Sequence, residues 1–290
     1  MSFVSERDPL VSVPLSEIKH NACVKWYPDG STEITCSRMM LFRERGFEEQ
    51  KRIAREGFTI TDDSENIRRA VRRARSRIRD YARSNPDFCF FVTCTLDRTV
   101  IDRYDINEVV RRLRSWLDNR VRRKGLKYIL VPELHKDGAV HFHGFINGAL
   151  PVVDSGTLTN GGKPRRPRSE RMRQQLLSDG WHVVYNLPDW GYGFTTAIRL
   201  YGEREKAIGY VCKYIGKEMK RGKLPSKIGG RWYYSGGALA LPEITSVTLD
   251  FEKFAADNPS GCWTLDGSDA DPDMCRIYEL GGHDLDRWIL

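Results

Sequence analysis

Apolar residues recur along the chain with two different spacings, and the switches between them mark out its elements. Through residues 64–83, Ile67, Ala70, Val71, Ala74, Ile78 and Tyr81 repeat at three- and four-residue intervals, which predicts an amphipathic helix with Asp63 or Ser64 as its cap. The same spacing returns at Val109, Val110, Leu113, Trp116, Leu117 and Val121, so 107–124 is a second helix, stopped by Gly125. Between them FCFFVTCTL (88–96) is a short apolar run bounded by Pro86-Asp87 and Asp97-Arg98, as expected of a buried strand. Residues 22–37 form strand-like runs around Pro28-Asp29-Gly30, and 128–133 and 140–146 flank Lys136-Asp137-Gly138, so both stretches read as β-hairpins. Residues 154–169, rich in Gly, Pro, Ser, Thr, Lys and Arg, read as a mobile basic loop. Beyond it the pattern predicts a helix at 170–177, strands at 181–185 and 193–200, a helix at 203–220, a basic turn at 221–227 and a strand at 231–235. An acidic, loop-rich stretch follows, strand-like only at 244–251. From residue 88 onward this is an α+β order with an antiparallel-rich central sheet and helices on one face, similar to the ferredoxin-like β-α-β-β-α-β arrangement. Three segments are expected: 1–85 with the first hairpin and helix, 86–235 as the central domain, and 236–290 as an acidic extension.

Charge narrows the range of partners. The 290 residues carry a net charge of +8, but residues 236–290 hold eleven Asp and Glu against three Lys and Arg, a net of −8. The first 235 residues therefore carry +16, and such a basic body points to a polyanion, most often nucleic acid. Eight arginines (68, 69, 72, 73, 75, 77, 79 and 83) crowd the helix at 64–83, which suggests a phosphate-contacting face. No run of eighteen apolar residues occurs, so no membrane span and no membrane partner are expected, and MSFVSERDPL lacks a signal pattern. Seven cysteines without regular spacing suit a reducing compartment.

The chemistry concentrates in VPELHKDGAVHFHGF, residues 131–145. His141 and His143 are two apart, so on a strand both imidazoles project from one face. A three-residue loop with Gly138 left-handed sets Glu133 opposite His141, and one face then presents Glu133, His141 and His143. A two-residue loop would pair Glu133 with Phe142 and break the set. Two neutral imidazoles and a carboxylate suit a divalent cation with open positions. His135 falls beside this group as a supporting residue or an alternative ligand, whereas His20, His182 and His283 read as structural.

The helix at 203–220 contains YVCKYIGK. Tyr210 and Tyr214 are four apart and share a helical face, with Lys213 and Lys217 on a neighbouring stripe. Nearby cations favour a phenolate, the form that attacks a phosphodiester.

With FVTCTLD (Thr93, Thr95), HFHG and YVCKYIGK in that order, the chain resembles a rolling-circle replication initiator of the His-hydrophobe-His (HUH) endonuclease superfamily. Its Tyr-x-x-x-Tyr spacing is similar to the two-tyrosine initiators of single-stranded DNA phages such as the microviruses. Leu96 departs from the first motif, where an aromatic is more usual. The resemblance implies a ferredoxin-like nuclease core that nicks and rejoins origin DNA through a 5′-phosphotyrosine. Tyr210 and Tyr214 would be catalytic with Lys213 and Lys217 in support, and Glu133, His141 and His143 would hold Mg²⁺ or Mn²⁺. Single-stranded and origin DNA, with a host helicase and DNA polymerase, would be partners in the cytoplasm of a bacterial host. The tyrosines follow the histidines, unlike the order in conjugative relaxases. No Gly-x-x-x-x-Gly-Lys-Ser/Thr run supplies an ATPase, which favours a phage or plasmid origin. A two-tyrosine transposase, a non-catalytic nucleic-acid-binding module and a small-nucleotide phosphoesterase are the alternatives.

Overall fold

The computed structural model describes residues 19–42, 63–135, 137–200, 202, 204–215, 226–261, 274–279 and 285–289. The chain divides into two compact units, residues 1–63 with 242–290, and residues 64–241. This differs from the three consecutive segments expected. The helix at 64–83 belongs with the central domain, and the acidic C-terminal stretch shares a sheet with the N-terminal hairpin.

In the first unit β1 (Lys19–Trp26) and β2 (Thr32–Phe42) form the predicted hairpin, closed by Gly30 at φ 82°. The strands β10 (Glu243–Val247) and β11 (Met274–Glu279) add to its two sides, giving the antiparallel order β10-β1-β2-β11. Strand character therefore ends at Val247. Asp250 caps a short helix, α5 (Phe251–Asp257), by accepting from the Lys253 amide. Val24, Ile34, Phe254 and Trp288 are fully buried in this unit's core, and the Trp288 indole N–H donates to Asp257 at 2.9 Å.

The second unit runs α1 (Asp63–Ser84), β3 (Phe88–Thr95), α2 (Ile106–Lys124), β4 (Tyr128–Leu134), β5 (Val140–Asn147), β6 (Val153–Thr159), α3 (Glu170–Ser178), β7 (His182–Asn186), β8 (Thr195–Arg199), α4 (Arg204–Tyr214) and β9 (Tyr234–Gly236). Its seven strands form one antiparallel sheet in the order β6-β7-β8-β3-β5-β4-β9. The α+β, antiparallel-rich class is therefore what the sequence pattern predicts. The helices, however, lie on both faces. Phe90, Val92, Val140, Phe142 and Leu130 point to α2, where they meet Val109, Leu113 and Leu117. The alternate positions Ile129, Val131 and Phe145 point the other way, to Val71 and Ile78 of α1 and Ile208 and Val211 of α4. Both faces of the inner strands are thus apolar, and each needs its own helical cover.

Part of the stretch expected to be loop is an edge strand. Between Asp154 and Thr157 the β6–β7 register shifts, with Gly156 at φ 72°. The Ser155 hydroxyl donates to the Val184 carbonyl at 2.6 Å. A bulged edge strand carries turn-like residues, which is why its composition reads as loop.

The arginine helix is partly a fastener. Arg75 gives two hydrogen bonds to the Ile215 carbonyl at the end of α4, at 3.1 and 2.7 Å. Arg83, buried, makes a two-pronged pair with Glu205 in the first turn of α4, each bond 2.9 Å. Arg204 returns the contact, donating to the carbonyls of Ala82, Asn85, Pro86 and Phe88. Only Arg68, Arg69, Arg73 and Arg77 of the eight are exposed. Replacing Arg69, Arg73 and Arg77 together by Gln should leave the thermal midpoint nearly unchanged. It should also flatten the slope of log DNA affinity against log salt by roughly two to three units. Arg75→Ala or Arg83→Ala should instead cost about 1.5–3 kcal/mol of stability, read by denaturant melts. Equal destabilisation by both sets would refute this division of labour.

Candidate active site

The hairpin of β4 and β5 has the register that gathers the predicted residues. Gly138 is left-handed at φ 88°, the His135 amide donates to the Ala139 carbonyl at 2.8 Å, and Glu133 lies opposite His141. Glu133, His141 and His143 therefore share the face that α1 and α4 cover. The glycine after the histidines is equally constrained. A Cβ on Gly144 would lie 1.8 Å from the Ile129 carbonyl oxygen of β4. Only a bare α-carbon allows the two backbones to run that close.

β3 contributes the part that sequence reading noted only as a motif. Thr93 pairs with His143 and Thr95 with His141 across the β3–β5 ladder. Their hydroxyls meet the two Nδ1 atoms at 3.0 and 3.4 Å. Each imidazole is thereby oriented by a neighbour, with Nε2 turned to other partners. For His143 that partner is Glu133, with Nε2 and Oε2 3.0 Å apart. A hydroxyl both donates and accepts, so it serves either imidazole tautomer. The available signal was period two in both strands: Thr at 93 and 95 against His at 141 and 143.

Among the described residues no three His, Cys, Asp or Glu side chains are gathered to enclose an ion. The donor set still has the chemistry of a divalent site: two imidazoles fixed at Nδ1 and one carboxylate on the same face. His135 stacks on His141 with ring centroids 5.1 Å apart, beside the group as expected. Burial, followed by the proximity of His135 and His143, holds the His141 pKa below its usual value, while Glu133 and Asp137 pull the other way.

α4 brings both tyrosines to this face. Tyr214 lies flat on His143, with centroids 4.2 Å apart and planes 5° from parallel. Tyr210 meets Tyr214 edge-on at 5.1 Å and Phe91 at 5.5 Å. The two differ in setting, since Tyr210 is 47% exposed whereas Tyr214 is half-buried. Burial, a hydrogen bond with Tyr210 and the nearby Glu133 carboxylate all push the Tyr214 phenol pKa upward. Lys213 is exposed on α4, and Lys217 lies outside the described residues.

Residues 89–219 match a family model for the replication-associated protein ORF2 group. The match covers just under half of the chain, from β3 past the end of α4, and so holds all of the site residues above. It supports a replication-initiator family for this region. No curated protein and no solved structure gave a significant match.

Two outcomes test this geometry. In the metal-free protein His141 should titrate below pH 6.5, followed by the NMR shifts of its ring. The folded state then binds fewer protons than the unfolded chain. Its contribution to stability is full above pH 6.5 and falls as pH drops through the unfolded value towards the folded one. A midpoint at or above 6.5 would contradict the packing described. Separately, Gly144→Ala should lower stability by about 1–3 kcal/mol through overpacking against β4, measured by chemical denaturation; an unchanged midpoint would show that the strands part without cost.

Proposed function

We propose that the chain initiates replication by nicking single-stranded origin DNA with a tyrosine and later rejoining it, as in rolling-circle replication. The observation that carries this reading is the juxtaposition on one sheet face of Tyr210 and Tyr214 with Glu133, His141 and His143, His143 lying flat against Tyr214. The match to a replication-associated family over the same residues supports it.

In this reading the phenolate oxygen of one tyrosine attacks the phosphorus of a phosphodiester. An O–P bond to tyrosine forms, the bond from phosphorus to the 3′-oxygen breaks, and that oxygen takes up a proton. The 5′ end stays on the protein and the 3′-hydroxyl is free to prime a host polymerase, with a host helicase opening the duplex ahead. Tyr210, the more exposed, acts first. Tyr214 then cuts the regenerated origin, and the newly freed 3′-hydroxyl attacks the first phosphotyrosine to close a circle. Glu133, His141 and His143 would hold Mg²⁺ or Mn²⁺, which when bound draws electron density from the scissile phosphate. Thr93 and Thr95 keep both imidazoles aimed, and Lys213 and Lys217 add positive charge along α4.

An origin hairpin oligonucleotide incubated with Mn²⁺ should give a covalent adduct that survives denaturing electrophoresis. His143→Ala should reduce its yield at least a hundredfold. Each single Tyr→Phe variant should still nick, Tyr210→Phe more slowly than Tyr214→Phe, and the double variant should form no adduct. Undiminished nicking in EDTA, or an adduct mapped by mass spectrometry to a residue other than these tyrosines, would overturn the proposal.

A further inference from the structure

Beside the tyrosines the same sheet face opens into a groove of about 460 Å³. Its floor is Phe91 of β3, Ile198 of β8 and Val184 of β7. One wall is α4, through Lys206, Ala207 and Tyr210. The other is the turn after β6, where Gly161, Gly162 and Pro164 come closest. α1 packs over the β4 and β5 side of this face, so the strands from β3 outward form the groove floor. The volume is in the usual range for a small-ligand cleft, roughly 300–1,000 Å³.

Its chemistry is selective. An aromatic ring and two branched aliphatic side chains offer a flat apolar platform. The hydroxyls of Thr93, Thr159 and Thr196 and the imidazole of His182 stand around it as donors and acceptors. Lys206 supplies a cation at the rim on the α4 side. The Arg199 guanidinium, though its residue lines the groove, stacks over Phe90 and Tyr185 on the opposite face. Apolar floor, neutral polar groups and one cation at the lip match a nucleobase with its phosphate outside, in a chain whose first 235 residues carry +16. Tyr210 closes the groove on the side of the candidate site, so whatever occupies it is held next to the phosphate being cut.

We propose that this groove receives one unstacked base of single-stranded DNA adjacent to the phosphate that Tyr210 attacks, and so selects the nucleotide flanking the nick. The proposal rests on the nickase reading for the position of that phosphate, but base capture itself is independent of cleavage. A base within a duplex is stacked and paired and cannot enter, so the groove also selects single strands.

The test is binding in EDTA of a 20-nucleotide single-stranded DNA library with randomised positions, the bound fraction being sequenced. Wild-type protein should favour one base class at one position by about ten- to a hundredfold, as expected of a stacked base. Ala207→Trp, which fills the groove, should abolish preference at that position and leave the others intact. Thr196→Val, which keeps the volume and removes one hydroxyl, should alter which base is favoured there, and it serves as the test should the Trp variant fail to fold. No positional preference in wild type, or the same preference in every folded variant, would overturn the proposal. If the preference shifts as described but no adduct forms with Mn²⁺, the nickase reading falls and the base site stands. An adduct together with unaltered preference gives the reverse.

Discussion

Because strand side chains alternate, a slip of one residue between β4 and β5 would leave Glu133 opposite Phe142, on the other face of the sheet from its histidine partners. The register that prevents this is local. It is set by Gly138 in the left-handed region and by the backbone bond between His135 and Ala139. Gly144 then lets β5 lie close on β4, and β3 on the far side turns both imidazoles through Thr93 and Thr95. Three strands thus determine the direction of two rings before any helix is added.

The helix with the tyrosines is placed by different means. α4 has an apolar face that fits the sheet, but apolar packing alone tolerates sliding and rotation. The arginine contacts at both its ends are directional. Arg83 and Arg204 fix the first turn against the end of α1, and Arg75 holds the last carbonyl. The arginines that suggested nucleic acid in the sequence therefore divide into those that face solvent and those that aim the tyrosine helix.

What was legible in the sequence was what local chain chemistry decides. The hairpins at Gly30 and Gly138, the helices around Val71 and Leu113, and the shared face of Tyr210 and Tyr214 all follow from spacing over a few residues. What was not legible depends on partners far along the chain. Ala22 pairs with Val247 and Cys36 with Cys275, and no periodicity links such positions. The bulge in β6 reads as loop because its residues suit a turn. The placement of helices on both faces required knowing that β3, β4 and β5 lie side by side in the sheet. His182 read as a structural residue, yet it lines the groove beside Tyr210, a position created by the β7–β8–β3 order.

The four-stranded sheet has a topological consequence. Its two central strands come from the N-terminal hairpin, and its two outer strands come from residues more than two hundred positions later. The larger unit is in effect an insertion into another fold. A lone two-stranded hairpin is at best marginally stable in water, so during synthesis β1 and β2 must wait for β10 and β11 to leave the ribosome. The inserted unit, complete in its own contacts, can fold meanwhile. Closure of the outer sheet is then the late, high-contact-order event, and it ties the two ends of the central unit into one looped covalent path.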